Sequence, residues 1–274
     1  MTAKMTGSQD GNIAGVVKQK DPQQTILTLG GTGPNGSSQV LHLLNLGWDY
    51  VHQLNRVNVL SASSFAYFIF IALGLGKLKK ENYRLYDKGV REIHHASFFK
   101  ALTHFARWGL PKKPLYDNQL IKETIRYLWE DDFMNMPLSA FNENLQFWVY
   151  CSASDKNICI SSRNFPEMAM WEVVSACVSI PYIHGEFVYG EHSFRDAIFS
   201  PSFKNLRREL IKPPLEHVYL NYKKESTVGK VCYLKNTRTK YPDIELLADY
   251  AMLAFNFSNM RVNKTHQAVL EAIE

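Results

Sequence analysis

Between Arg56 and Lys77 the chain runs about 20 residues without a charged side chain, and so long an uncharged run has to leave water. A membrane span needs about 20 mostly apolar residues, so length alone permits a transmembrane helix. The interior of the run points elsewhere. Asn58, Ser61, Ser63 and Ser64 crowd its first half, VNVL (57–60) has the short β-branched pattern of a buried strand, and YFIFIALGLG (67–76) reads as a helix ending at glycine. A strand, a tight bend rich in small residues and an apolar helix together present a nucleophilic serine at the edge of an α/β sheet. Ser63 is central in that bend.

The segments before the run supply the rest of an α/β unit. QTILTL (24–29) predicts a first strand, GGTGPNGSS (30–38) a glycine-rich loop, and QVLHLLNLGW (39–48) a helix. With VNVL as the second strand this is a parallel βαβ unit of fixed crossover hand. Residues 81–144 read as mainly helical, an insertion beside the sheet. The β pattern returns at LQFWVYCSAS (145–154) and NICISS (157–162), EMAMWEVVSACVSIP (167–181) reads as a buried helix stopped by Pro181, and GEFVYGEHSFRDAIFSP (185–201) as a hairpin around Gly190 with a turn at Asp196. HVYLNYKKE (217–225) and KVCYL (230–234) predict later strands. The expected organisation is a flexible lead-in over 1–22, one main domain over 23–240, and C-terminal helices over 241–274 packed on the same domain.

Three segments carry candidate chemistry. In LGGTGPNG (29–36) glycines let the backbone approach a ligand, and the helix that follows aims free N–H groups at an anion. Gly31, Gly33 and Gly36 match GxGxxG, but Asn55, Arg56 and Asn58 stand where a dinucleotide fold would place its acidic ribose partner. In LSASSFA (60–66) a serine at a helix N-terminus sits where the dipole favours a developing negative charge. In FRDAIFSP (194–201) Asp196 follows a β pattern and precedes small and apolar residues.

In combination the order and spacing of these segments resemble the patatin-like phospholipase family, with its GGGxRG loop, GxSxG elbow and DGG or DGA motif. GTGPNG (31–36), SASSF (61–65) and DAI (196–198) stand for the three motifs, and WEVVSACVSIPYI is similar to the family's helix and proline turn before the aspartate. The resemblance covers about residues 24–235. Ser61 and Phe65 replace the elbow glycines, Asn35 the basic residue of the first loop, and Thr32 and Ala197 further glycines.

The resemblance implies an α/β fold of three layers, α/β/α, with a mostly parallel central sheet and a helical insertion. It implies a Ser-Asp dyad without histidine, with Ser63 attacking an ester or thioester carbonyl and Asp196 as general base. Backbone N–H groups of Gly31, Thr32 and Gly33 would form the oxyanion hole, since Pro34 has no N–H to give. No cofactor or metal is required. The expected substrate is an acyl lipid or an acyl thioester; transfer to another acceptor, processing of thioesters on an acidic carrier protein, and a silent lipid-binding role are the alternatives.

Two other serine chemistries fit less well. An α/β-hydrolase triad would take Ser63, Asp196 and either His217 or His266, yet its elbow normally follows several strands. A malonyl-type acyltransferase usually has His before its nucleophile, where this chain has Ala62.

Composition bounds the setting. Hydrophobic residues at 46% and charged residues at 21% suit a globular chain folded in water. The net charge of +5 suits a merely solvated basic face, contact with an anionic membrane surface or an acidic carrier partner, and no nucleic-acid partner is expected. Cys151, Cys159, Cys177 and Cys232 form no CxxC pair, so core thiols are expected. The N-terminus lacks the apolar stretch of a secretory signal, which gives a cytoplasmic expectation with peripheral membrane contact. In HASFFKALTHFARWGL (95–110) Phe98, Phe99, Leu102, Phe105 and Trp108 share one helical face, suited to the core or to an interface with lipid. Tyr67, Phe68 and Phe70 suggest an apolar pocket near the bend.

Overall fold

The computed structural model describes residues 21–30, 36–79, 81–83, 103, 107, 114, 116, 118–181, 183–210 and 216–220. The expected strand at KVCYL, the helix over 95–110, the C-terminal helices and most of the 1–22 lead-in lie outside these residues.

Among the described residues a seven-stranded mixed sheet forms the centre. β1 (Thr25–Leu29) and β2 (Arg56–Leu60) run parallel in the register Leu27↔Val57 and Leu29↔Val59. Both are almost fully buried, as expected of a parallel pair covered on two faces. α1 (Gly36–Leu46) and α2 (Trp48–Gln53) fill the crossover between them. β3 (Leu145–Cys151) lies parallel to β2, β4 (Lys156–Ile160) folds back on β3, and β5 (Phe187–Tyr189) and β6 (His192–Asp196) form a hairpin. β7 (Glu216–Leu220) adds in parallel to the far side of β1.

Strand alternation sorts the side chains onto two faces. Leu27, Leu29, Val57, Val59, Phe147 and Val149 point to the larger core, which also holds α3 (Ser63–Leu75), the amphipathic α4 (Asn118–Leu128), α5 (Asp131–Met134) and α6 (Met170–Val178). Leu60 belongs to a smaller cluster with Ala197, Leu206 and Leu210, against which Trp148 packs; the two leucines come from α7 (Phe203–Leu210). Helices therefore cover both faces of the sheet.

The uncharged run resolves into β2, a two-residue bend and α3. From Ser63 to Ala72 every residue of α3 except Phe65 is buried, so the helix is apolar because it is a core helix. Phe68 stacks on Phe147 with ring centroids 5.2 Å apart and meets Phe133 and Phe141 edge-on. Each such ring contributes about 1.5–3 kcal/mol by leaving water. The rings of Tyr67, Phe68 and Phe70 thus pack in the core. α3 stops at Gly76, whose φ of 67° is the left-handed conformation that ends helices, and the Lys77 N–H returns to the Ala72 carbonyl at 2.8 Å. No helix among the described residues is long and apolar enough to cross a membrane.

Of the 81–144 insertion, α4 and α5 are described, with a short 3-10 turn at Leu138–Ala140. Cys151, Cys159 and Cys177 are free thiols.

Candidate active site

β2 ends at Leu60, and the chain turns at once. Ser61 takes a φ of 57°, one of two non-glycine residues with positive φ among the described residues. That conformation costs an L-residue about 1–2 kcal/mol, so the surroundings have to hold it. Ser64 does so twice over, its N–H and its hydroxyl both donating to the Ser61 carbonyl, at 3.0 and 2.8 Å. The bend redirects the chain from strand into α3 and leaves the Ser61 side chain buried beside Asp196.

Asp196 comes to this point from the opposite direction. It is the last residue of β6, and its N–H donates to the Ser179 carbonyl just past the end of α6, at 3.0 Å. The carboxylate divides its work. Oδ1 accepts from the Ile198 N–H at 3.0 Å, capping the turn Ala197–Phe199, and Oδ2 accepts from the Ser61 hydroxyl at 2.5 Å. The start of β6 is braced by Glu186, which accepts from the Ser152 hydroxyl at 2.9 Å, from Ser193, and from Arg195 Nε at 2.5 Å.

The site is nearly dry, with Ser61 5% and Asp196 1% exposed. Burial pushes the Asp196 carboxyl up to about 7, against the downward pull of its bonds from Ser61 and the Ile198 N–H. Cys177 of α6 is buried nearby; desolvation and then the Asp196 charge hold its thiol well above the ordinary range, so it is a neutral group. A carboxylate with an affinity for protons near neutrality, hydrogen-bonded to a serine hydroxyl in a dry site, can take that proton when the oxygen attacks a carbonyl.

The expected pairing of Ser63 with Asp196 is corrected by two residues. Asp196 receives the Ser61 hydroxyl, while the buried Ser63, first residue of α3, donates its own to the Gly30 carbonyl. The reason is local: a strand that ends at Leu60 puts the left-handed bend at the next residue, while the Ser63 hydroxyl is taken by the Gly30 carbonyl at the end of β1. Phe65, which stands where the resemblance places an elbow glycine, stacks on Trp129 with ring centroids 5.8 Å apart. Ser61 could have been found from the sequence by placing the bend directly after VNVL.

Gly31, Thr32 and Gly33 lie outside the described residues, as does His266. Gly30, at their threshold, is buried, and its carbonyl accepts from Gln39 Nε2 at 2.9 Å as well as from Ser63. His217 sits in β7 opposite Ile26, near the start of β1, whereas Ser61 follows the far end of β2. The histidine-containing arrangement is therefore not assembled around Asp196 by His217. Among the described residues no cluster of His, Cys, Asp or Glu could hold a metal ion. No protein-family model and no curated protein matches this chain.

Proposed function

We propose that this chain is a serine acyl hydrolase of the patatin-like kind, which cleaves a lipid ester or thioester through an acyl-Ser61 intermediate with Asp196 as general base. The observation that carries the reading is the 2.5 Å hydrogen bond from the Ser61 hydroxyl, on a left-handed bend between strand and helix, to a buried aspartate. Centred on Ser61, the elbow pattern becomes VLSAS (59–63), with Val59 and Ser63 at the glycine positions, and DAI (196–198) keeps its place as the aspartate motif. The two-faced sheet with helices on either side is compatible with the family's three-layer arrangement.

In the first half-reaction Ser61 Oγ bonds to the carbonyl carbon and its proton passes to Asp196 Oδ2. Collapse of the tetrahedral intermediate breaks the bond to the leaving oxygen or sulfur, which takes that proton. Water then attacks acyl-Ser61, gives a proton to Asp196, and the acid leaves as Ser61 Oγ is reprotonated. The Ala62 N–H, next after the nucleophile and at the N-terminal end of α3, is the first donor to propose for the oxyanion, joined by the glycine-rich loop. Such donors lower the barrier by about 3 kcal/mol each.

A fluorophosphonate probe with peptide mapping tests the assignment. Label is expected on Ser61 in the wild type, absent in Ser61→Ala, slowed in Asp196→Asn and still on Ser61 in Ser63→Ala. Label that survives Ser61→Ala removes Ser61 as nucleophile. Absence of label in the wild type, with no turnover of short or long acyl esters or thioesters, removes the hydrolase reading.

A further inference from the structure

We infer that Asn118, the first residue of α4, is a positioning residue for Asp196: its side-chain amide locks together the two segments from which the aspartate is held. The catalytic consequence rests on the acyl-hydrolase reading, whereas the lock itself does not. One segment is the end of α6, where the buried Ser179 leaves the helix with a ψ of 85° and turns its carbonyl to the Asp196 N–H, at 3.0 Å. The other begins at Glu186, whose carboxylate accepts from Arg195, the residue before Asp196, at 2.5 Å. Asn118 Oδ1 accepts from the Ser179 hydroxyl at 3.3 Å, and Asn118 Nδ2 donates to the Glu186 carbonyl at 3.0 Å. Asparagine is the short side chain that offers an acceptor and a donor from one planar group, and both ends are used. Ser179 has one hydroxyl proton and also gives it to the Ser175 carbonyl at 2.7 Å, so the bond to Glu186 is the stronger half of the lock.

The contacts around Asn118 repeat the same docking. The Tyr116 N–H donates to the Ile183 carbonyl at 2.8 Å, and Gly185, with a φ of 75°, lies so close to Pro114 that a Cβ would come within 2.7 Å of its ring. The chain entering α4 is thus seated on the return from α6 to β5. One turn further along α4, Lys122 Nζ lies 4.0 Å from the centroid of the Trp171 ring of α6, which meets Phe187 of β5 edge-on. Strand pairing sets how far along β3 Asp196 comes, but Asp196 is the last residue of β6, and the direction of its carboxylate is left to what holds that end. A general base has to stay within hydrogen-bond reach of its hydroxyl, and a misplacement of about 1 Å can cost about a hundredfold in rate. Asn118 removes that freedom by tying the residue that holds the Asp196 N–H to the residue that holds Arg195.

Asn118→Asp and Asn118→Leu test the lock. Asn118→Asp keeps the acceptor for Ser179 and loses the donor to Glu186, and an acid in the first turn favours α4, so the helix stays formed. Asn118→Leu loses both bonds while nearly keeping the volume. Hydrogen exchange of the Asp196 and Ile198 amides reports the two backbone bonds that fix the aspartate, and it should rise by about fivefold to tenfold in Asn118→Asp and more in Asn118→Leu. The Ser64 and Phe65 amides, bonded within the bend and the first turn of α3, should not change. The rate of fluorophosphonate labelling at Ser61, and kcat on any ester turned over, should fall by about tenfold or more with KM nearly unchanged. Exchange and labelling rate both unchanged in Asn118→Leu overturn the lock while leaving the nucleophile in place. Exchange raised equally at Ser64 and Phe65 means general loosening and overturns the positioning role, as does raised exchange at Asp196 and Ile198 with an undiminished labelling rate. Exchange raised at Asp196 and Ile198 alone, in a chain whose wild type takes no label, upholds the lock and overturns the hydrolase reading.

Discussion

Leu60 and Asp196 end two strands that run toward each other along a single edge of β3, Leu60 opposite Trp148 and Asp196 opposite Val149. β4 occupies the other edge of β3 over Phe147–Cys151, so β2 and β6 have to share the remaining one, end to end. Ser61 is the first residue past Leu60. The contact between its hydroxyl and the Asp196 carboxylate is therefore produced by strand pairing, with no loop needed to bring the two together.

That carboxylate is stored in an unfavourable place. Its ordinary value of 3.8 rises to about 7 in the fold, so between those pH values the native chain holds a proton that the unfolded chain has released. The native state binds more protons, so stability falls as pH rises through this window. Asp196→Asn, which keeps the cap on Ile198 and can donate to Ser61, should abolish turnover and yet raise Tm at pH 8, by up to about 4 kcal/mol in stability. Thermal unfolding of both proteins at pH 4 and pH 8 checks this: the gap is expected at pH 8 and near zero at pH 4.

A general base works only when deprotonated. kcat/KM should rise with pH along a single limb whose midpoint lies near 7, the value to which burial brings Asp196, and level off above it. A rate that is flat from pH 5 to 9 would exclude Asp196 as the base.

The left-handed bend at Ser61 can be weighed by comparing two variants that both lack the hydroxyl. Ser61→Gly should be more stable than Ser61→Ala by about 1 kcal/mol, because glycine adopts a φ of 57° without steric cost. Both should be inactive. Urea unfolding of the pair gives the difference directly, and equal midpoints would mean that the bend stores no strain.

Gly74 of α3 lies directly against the Trp48 ring of α2. A Cβ there would run into the ring of Trp48, which also packs against Phe70 at 5.3 Å between ring centroids. Gly74→Ala should cost about 1–3 kcal/mol despite the better helix propensity of alanine, and Trp48→Leu in the same chain should recover part of it. A stabilised Gly74→Ala would mean that the ring moves aside freely.

The elements were largely legible in the sequence because their signals are local. VNVL is β-branched and bounded, and α3 ends at the expected kind of residue, Gly76. The identity of the paired serine was not legible in the same way. Ser61, Ser63 and Ser64 are chemically alike, and three buried hydroxyls in one bend differ only in direction. Ser64 turns back on the Ser61 carbonyl, Ser63 crosses to Gly30, and Ser61 alone among the three is given to Asp196. Those directions depend on which residue takes the positive φ, and that is decided by where β2 stops hydrogen-bonding to β3. Asp196 was identifiable because its turn has a single acid. Its affinity for protons was not, since that comes from α6 and the sheet closing around it.

Since β3 acts as a ruler, the 135 positions that separate Ser61 from Asp196 in the chain do not set the distance between the two groups. Insertions or deletions in the helical segment ahead of β3, or in the turns beyond β4, leave the ruler untouched. A slip of β6 by one residue along β3 would instead swing the carboxylate to the opposite face of the sheet. Apart from the side chains that hold Asp196, the chain between the two residues is thus free to diversify, while the pairing of three strands is not.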